Sequence, residues 1–368
     1  MNTSLRAASS AVQRPPHAKL LVVSADGRIA HGERARLADL LRAGDLVVAN
    51  DAATLPASLF GTHGPSGAPI EVRLTGRRTL HVDDVRAFSA IVFGAGDHRT
   101  RTEDRAAPPP LHAGDALQLG PLGAVVQRTL AHPRLIELRF EGAVDAIWAC
   151  IARHGRPIQY AHVQEPLALW DVWSAIAGPP VAFEPPSAGF VLDWALLHAL
   201  RERGIGFATL THAAGISSTG DATLDARLPL DEAYQIPPYT VAAVARAQRD
   251  GARVMAVGTT VTRALEHAAR DGALRAGNGV ANQRIGPGTR LHVVNAILSG
   301  AHEPGSSHHD LLRAFTAPSV LQRADRALLE HGYLTHEFGD SVLVERTRSM
   351  PFARTTVAAP LRATTAES

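Results

Sequence analysis

The 368-residue chain carries a single cysteine, Cys150, and a single lysine, Lys19. One cysteine excludes an intramolecular disulfide and any multi-cysteine zinc or iron–sulfur centre, and it suits a reducing compartment. One lysine, close to the start, excludes a phosphate-loop or Schiff-base lysine deep in the fold unless Lys19 itself serves. No apolar run approaches the roughly eighteen residues of a membrane span, and MNTSLRAASSAVQRPPHAK lacks the apolar core of a signal peptide. The expectation is a cytoplasmic monomer with no membrane contact. An excess of either charge is missing too, since 37 basic residues face 35 acidic ones for a formal +2. Any nucleic acid must therefore be met by a local patch. No G-x-S-x-G elbow occurs, and FGAGDHR at 93–99 has only two of the three glycines of a dinucleotide loop.

What remains is a soluble, turn-rich composition, with 45% hydrophobic residues, 31 Gly and 24 Pro, at a length that implies two domains or one with a large insertion. Residues 1–18 and 348–368 show no periodicity and are expected to be flexible. LLVVSADGRIAHG predicts a strand and turn, ARLADLLRAG a short amphipathic helix closed by Gly44, and DLVVAND a buried strand. From Leu59 to Phe140, short alternating segments such as PIEVRLTG, FSAIVFGAG and LIELRFEG predict a small antiparallel barrel, with RTRTEDRAAPPP as an exposed loop. After the helix DAIWACIARHG, helical LDWALLHALRERG, TVAAVARAQRDG, VTRALEHAARDG, SSHHDLLRAF and SVLQRADRALLEHG alternate with strands GFATLTHA, RVMAVGTT, RLHVVNAIL and DSVLVER. The fold class is α/β, a mostly parallel sheet with helices on both faces. Residues 19–58 and 157–347 form this domain, interrupted by an inserted antiparallel β-barrel domain at 59–156.

Three segments carry candidate chemistry. In RVMAVGTTVTRALE a strand ends at Gly258, and Thr259 and Thr260 open a helix with Arg263 one turn along. Free N–H groups at that terminus suit a carboxylate or phosphate. The same residues equally fit a Thr-capped helix in which Arg263 pairs with Glu266. In VVNAILSGAHEPGSSHHDLLRAF, His302, Glu303, His308, His309 and Asp310 crowd a turn that leads to Ser306 and Ser307. Imidazoles beside carboxylates serve as metal ligands or acid/base pairs, although the spacing is not HExxH and adjacent histidines face different sides of a helix. EPPSAGF at 184–190 and TLTHAAGISSTGD at 209–221 place Ser187, Gly189, Thr211, His212, Gly215, Ser217 and Ser218 at element ends, as a ligand cleft or ordinary turns require. Arg73, Arg77 and Arg78, with Arg99, Arg101 and Arg105, offer a phosphate patch or a solvated surface.

Taken in order, LADLLRAGDLVVANDAATLPASLFG, PPSAGF, TLTHAAG, DEAYQIP, RVMAVGTTVTRALE, LHVVNAILSGAHEPGSS and the Phe338-Gly339-Asp340 turn resemble the S-adenosylmethionine:tRNA ribosyltransferase-isomerase family of queuosine biosynthesis. The resemblance runs from Lys19 to Val344. It implies transfer and isomerisation of the ribosyl part of S-adenosylmethionine, as cosubstrate, onto the aminomethyl group of a 7-deazaguanine in tRNA, giving epoxyqueuosine and releasing adenine and methionine. It implies no metal, and an α/β domain interrupted by a β-barrel.

Carried onto this chain, the resemblance offers Glu232, His302 and His212 as catalytic groups. It assigns the Gly258–Arg263 turn, with Glu266 orienting Arg263, to the methionine carboxylate or a tRNA phosphate. Ser187, Gly189, Thr211, Gly215, Ser306 and Ser307 complete the cosubstrate site, and Asn50, Arg73, Arg77 and Arg78 are the tRNA contacts. The chain departs from the family pattern at Ala52, Ala53, Ser58, Val191, Thr211, Gly300, Ala301 and at His308, His309 and Asp310. These departures leave three other readings open: a related enzyme with a small-molecule acceptor, a metal-dependent hydrolase built on His302, Glu303, His308 and Asp310, and a non-catalytic binder of tRNA or nucleotide.

Overall fold

A computed structural model describes residues 5–347. Its larger layer is a nine-stranded sheet whose four central strands, Gly206–His212, Leu46–Asn50, Val254–Val257 and Ala296–Gly300, run parallel. On one flank Glu232–Ile236 and Gly277–Ala281 add antiparallel strands. On the other, Ser341–Glu345 pairs antiparallel with Ala296–Gly300, followed by Lys19–Val23 and Ile29–Glu33.

Strand Leu46–Asn50 is buried at every position, as a central parallel strand must be. Its side chains alternate between two cores. Leu46 and Val48 pack with Val244, Val261, Leu265 and Leu321 of the helices Pro238–Arg249, Thr259–Ala268 and Pro318–Glu330. Val47 and Ala49 pack with Leu37, Leu196 and Leu200 on the opposite face, so helices cover both sides.

Six strands between Ser58 and Phe140 close into an antiparallel barrel. Val72, Leu74, Phe88, Val92, Val126 and Leu138 fill a core of its own. Helix Val144–His154 follows, and Arg156 bridges back to Ser58, so the chain leaves and re-enters the α/β layer at neighbouring points.

Four local expectations change. The helix expected to run to Gly44 is a 3₁₀ turn, Arg34–Leu40. Asp45 accepts the Arg42 N–H at 2.9 Å and Gly44 takes a φ of 91°, which together end the turn. The strand expected over 290–298 begins only at Ala296, because the amides of His292, Val293 and Val294 donate to the Glu266 carboxylate and are lost to a ladder. The loop at 100–110 is not wholly exposed, since Thr102 is buried and Arg105 reaches inward to Glu71. Residues 5–18, expected as a flexible arm, are docked: Arg6–Ala7 pairs parallel with Leu334–Thr335, and Arg14 donates to the carbonyls of Phe190 and Leu192. The tail at 348–368 lies outside the described residues.

Candidate active site

The parallel strands end, at their carboxyl sides, on a cleft between the sheet and the barrel, where open α/β sheets place ligands. A tight recess against Gly258, Thr259, Thr260 and Glu232 opens into a chamber of about 850 Å³ that reaches Tyr160, His336 and Arg284. Glu184, Ser187, Ser217, His302, Ser307 and His308 line both. EPPSAGF, TLTHAAG, the GTT turn and the SSHH turn, far apart in sequence, thus meet at one site.

The recess owes its floor to Gly258, whose φ of 98° is open to glycine and strained for other residues. It starts helix Thr259–Ala268, and no side chain caps that helix. The N–H groups of the first turn therefore face the recess as an anion seat. Thr262 turns its hydroxyl back to the Gly258 carbonyl at 3.2 Å.

Arg263 does not point its charge at a ligand. Its guanidinium forms an ion pair with Glu232 and donates to the carbonyls of Leu230, Ala281 and Gln283. The expected Arg263–Glu266 pair is absent, because Glu266 is spent on the three amides at 292–294. Glu232 also accepts the Gly215 N–H at 2.6 Å. Burial raises its carboxyl, while Arg263 opposes the rise. Arg263 thus anchors Glu232 on the recess wall.

His212 lies behind Glu232 rather than on the cleft, wholly buried, with Nε2 3.5 Å from Glu232 Oε2. Burial and the Arg263 charge keep it neutral, well below the usual imidazole range. Asn50 is equally enclosed: its amide accepts the His212 N–H and donates to the His212 carbonyl, both at 2.9 Å. It locks two strands together and offers nothing to a nucleic acid. Thr211 donates to Asp51 at 2.7 Å, and Gly189 sits against Ser174; neither lines the cleft.

His302 and His308 stack with ring centroids 4.5 Å apart and 12° between planes. Burial, then their neighbouring histidines for His302, holds both neutral; the His308 value falls to about 4. Ser306 caps helix Ser307–Leu312 by accepting the His309 N–H, and Ser307 faces the cleft. Glu303 turns to Thr335 and His336, while Asp310 turns to Arg284 and Arg313. The four groups of the hydrolase reading thus diverge and form no common ligand set.

The arginines expected to contact tRNA divide. Arg73 is buried, paired with Glu71 at 2.7 Å, with Arg105 closing the cluster from the 100–110 loop. Arg77 is buried and donates to the His81 carbonyl. Only Arg78 is exposed, and it pairs with Glu137. Arg101, another arginine of that expected patch, and Arg284 line the chamber itself.

Sequence reasoning missed the chamber's densest cluster. Tyr160 donates to Glu184, His162 lies 2.9 Å from Glu337, and His162 and His336 stack at 4.4 Å. His162, His336 and Glu337 bring their ligand atoms within 4.8 Å of one another. His336 is the one non-glycine residue among the described residues with positive φ, 67°, a conformation found at sites the surrounding structure over-determines. Glu303 and Glu337 raise its imidazole against burial. Burial raises Glu303 while its bonds to His336 and Thr335 bring it down to about 2. Burial pushes the Glu184 carboxyl up to about 7, against the lowering bond from Tyr160 and with a further rise from Glu337. Only Glu184 carried a sequence signal, since it opens the EPPSAGF segment; residues 336 and 337 merely precede the Phe338 turn.

The family model for queuosine biosynthesis protein matches residues 2–344. Proteins named S-adenosylmethionine:tRNA ribosyltransferase-isomerase are similar over most of their length. The one from Sorangium cellulosum is 32% identical, covering 90% of this chain and 94% of its own. Those from Synechococcus elongatus and Azoarcus sp. are 30% and 31% identical, each with about nine-tenths coverage of both chains. A crystal structure of S-adenosylmethionine tRNA ribosyltransferase from Thermotoga maritima superposes with a TM-score of 0.49 at 23% identity, over 92% of this chain and 98% of that one. The family match spans nearly the whole chain and the relatives reach 32% identity, so the chain belongs to the queuosine biosynthesis protein family.

Proposed function

We propose that the protein is an enzyme that transfers and isomerises the ribosyl part of S-adenosylmethionine onto 7-aminomethyl-7-deazaguanine in tRNA, giving epoxyqueuosine-tRNA. Adenine and methionine leave, no metal takes part, and the enzyme acts as a cytoplasmic monomer. The observation that carries this reading is the pairing of opposite features in one cleft. An uncapped helix start at Gly258–Thr260 suits the methionine carboxylate. Glu184 and Glu232 line the same recess, Glu303 and Glu337 the adjoining chamber, and these carboxylates suit the sulfonium and ammonium charges of the same molecule. Arg101 and Arg284 on the chamber wall suit tRNA phosphates near the mouth. Among the described residues no helix is long and apolar enough to cross a membrane.

The test is mass spectrometry of adenine and methionine released from S-adenosylmethionine by the purified protein, with and without tRNA bearing the aminomethyl deazaguanine. Release that depends on that tRNA, with a modified nucleoside in its digest, is the expected outcome. No release with that tRNA, from folded protein, contradicts the reading.

A further inference from the structure

We propose that Glu184 is the catalytic base of this cleft, with Tyr160 positioning its carboxylate, and the inference rests on the ribosyl-transfer reading above. The reaction needs a group to take a proton from the ribose carbon bonded to sulfur. In that step the C–H bond breaks, an O–H bond forms on the Glu184 carboxylate, and the electron pair stays on carbon beside the sulfonium. No oxidant or further co-reactant enters.

Glu184 lines both the recess and the chamber, and it shares the recess with the Gly258–Thr260 anion seat. A cosubstrate held there by its carboxylate carries its sulfonium towards that junction.

Every other carboxylate of the recess and chamber is held in place. Glu232 is paired with Arg263 and the Gly215 amide. Glu337 is paired with His162, and Glu303 with Thr335 and His336. Asp225 accepts from the Thr219 amide and hydroxyl at 2.7 and 2.6 Å, and Glu103 pairs with Arg101. Glu184 and the half-buried Asp225 both accept from neutral donors, for Glu184 the Tyr160 hydroxyl and Ser217, and of the two only Glu184 also lines the recess. A carboxylate with no cation bonded to it keeps its basicity, whereas one locked to a guanidinium surrenders it.

The charged groups that reach Glu184 from neighbouring elements do not change this. Arg73 lies 5.5 Å from the Tyr160 ring centroid and is paired with Glu71; its charge reaches Glu184 without a bond to it, and the Glu184 carboxyl is still raised. Glu337 raises the Glu184 carboxyl, and Glu184 in turn raises His336. A carboxyl near 7 is matched to proton transfer at neutral pH, whereas His302 and His308 are held far below it by burial.

The experiment compares the full chain with its Glu184→Gln and Tyr160→Phe variants on S-adenosylmethionine deuterated at the sulfur-bearing ribose carbon, with acceptor tRNA. The wild type is expected to show a primary isotope effect and a rate that rises with pH to a plateau above about 7. Glu184→Gln is expected to lose about a thousandfold in kcat. Tyr160→Phe removes a bond that lowers the Glu184 carboxyl, so the inflection moves to higher pH. Turnover by Glu184→Gln within threefold of wild type, or an inflection unmoved in Tyr160→Phe, overturns the assignment. Absence of adenine release by the wild type itself overturns the ribosyl-transfer reading and the inference with it.

Discussion

Glu71 and Glu184 are two buried carboxyls on opposite sides of the Arg73 and Tyr160 side chains, and they are driven in opposite directions. Burial would raise both. At Glu71 the guanidinium groups of Arg73 and Arg105 overcome it and hold the carboxyl below its usual range. At Glu184 burial wins, because Tyr160 supplies a hydroxyl and no charge. Burial alone therefore does not mark a reactive carboxyl; burial without a bonded cation does. The barrel cluster is a fixed joint between the 94–105 segment and the barrel wall, whereas the cleft carboxyl is left free to trade a proton.

The contrast can be broken most severely at Arg73. Arg73→Met leaves Glu71 with one cation in a buried site, and an expected loss of about 3–5 kcal/mol should appear as a lowered midpoint in urea unfolding. An unchanged midpoint means the cluster does not hold the joint.

The contrast is sharpened by the pH dependence of stability. With its folded carboxyl near 7, against an ordinary value of 4.5, Glu184 keeps its proton in the folded state where the unfolded chain has lost it. Its contribution is full below about pH 4.5 and is lost as pH rises towards 7, on the order of 3 kcal/mol in all. Glu184→Gln removes that decline, so the variant should exceed wild-type stability at pH 8 and lose the advantage at pH 4.5. Parallel stability curves for the two proteins argue against a perturbed Glu184.

The smallest effect is expected at the surface. Arg78 pairs with Glu137 but is largely exposed, and Arg78→Ala should cost under about 1 kcal/mol in the same unfolding assay. A loss as large as that of Arg73→Met erases the distinction between buried and exposed arginines of this barrel.

The fold was legible wherever local pattern and burial agree. DLVVAND and RVMAVGTT hold the apolar runs LVVA and VMAV between turn signals, and both are central strands. The cleft was legible as a place, since Ser187, Gly258, Thr259, Thr260, His302 and Ser307 do meet there. Its charge pairing was not. In PIEVRLTG, Val72 and Leu74 fill the barrel, so alternation puts Glu71 and Arg73 outside and suggests solvent. The structure covers that outer face with the 94–105 segment and Tyr160, a contact no local period encodes. Likewise Glu266 lies within reach of Arg263 on their helix, yet the amides at 292–294 and Glu232 claim one partner each. Long-range competition for a partner decided these roles, and spacing cannot report it.

The most direct test of the contrast is to follow glutamate carboxyl carbons by ¹³C NMR from pH 4 to pH 9 in wild type and in Glu184→Gln. The account predicts one resonance that titrates near pH 7 in wild type and vanishes in the variant, and a Glu71 resonance that stays ionised throughout. A Glu184 resonance that titrates near pH 4.5, like an ordinary glutamate, would contradict it.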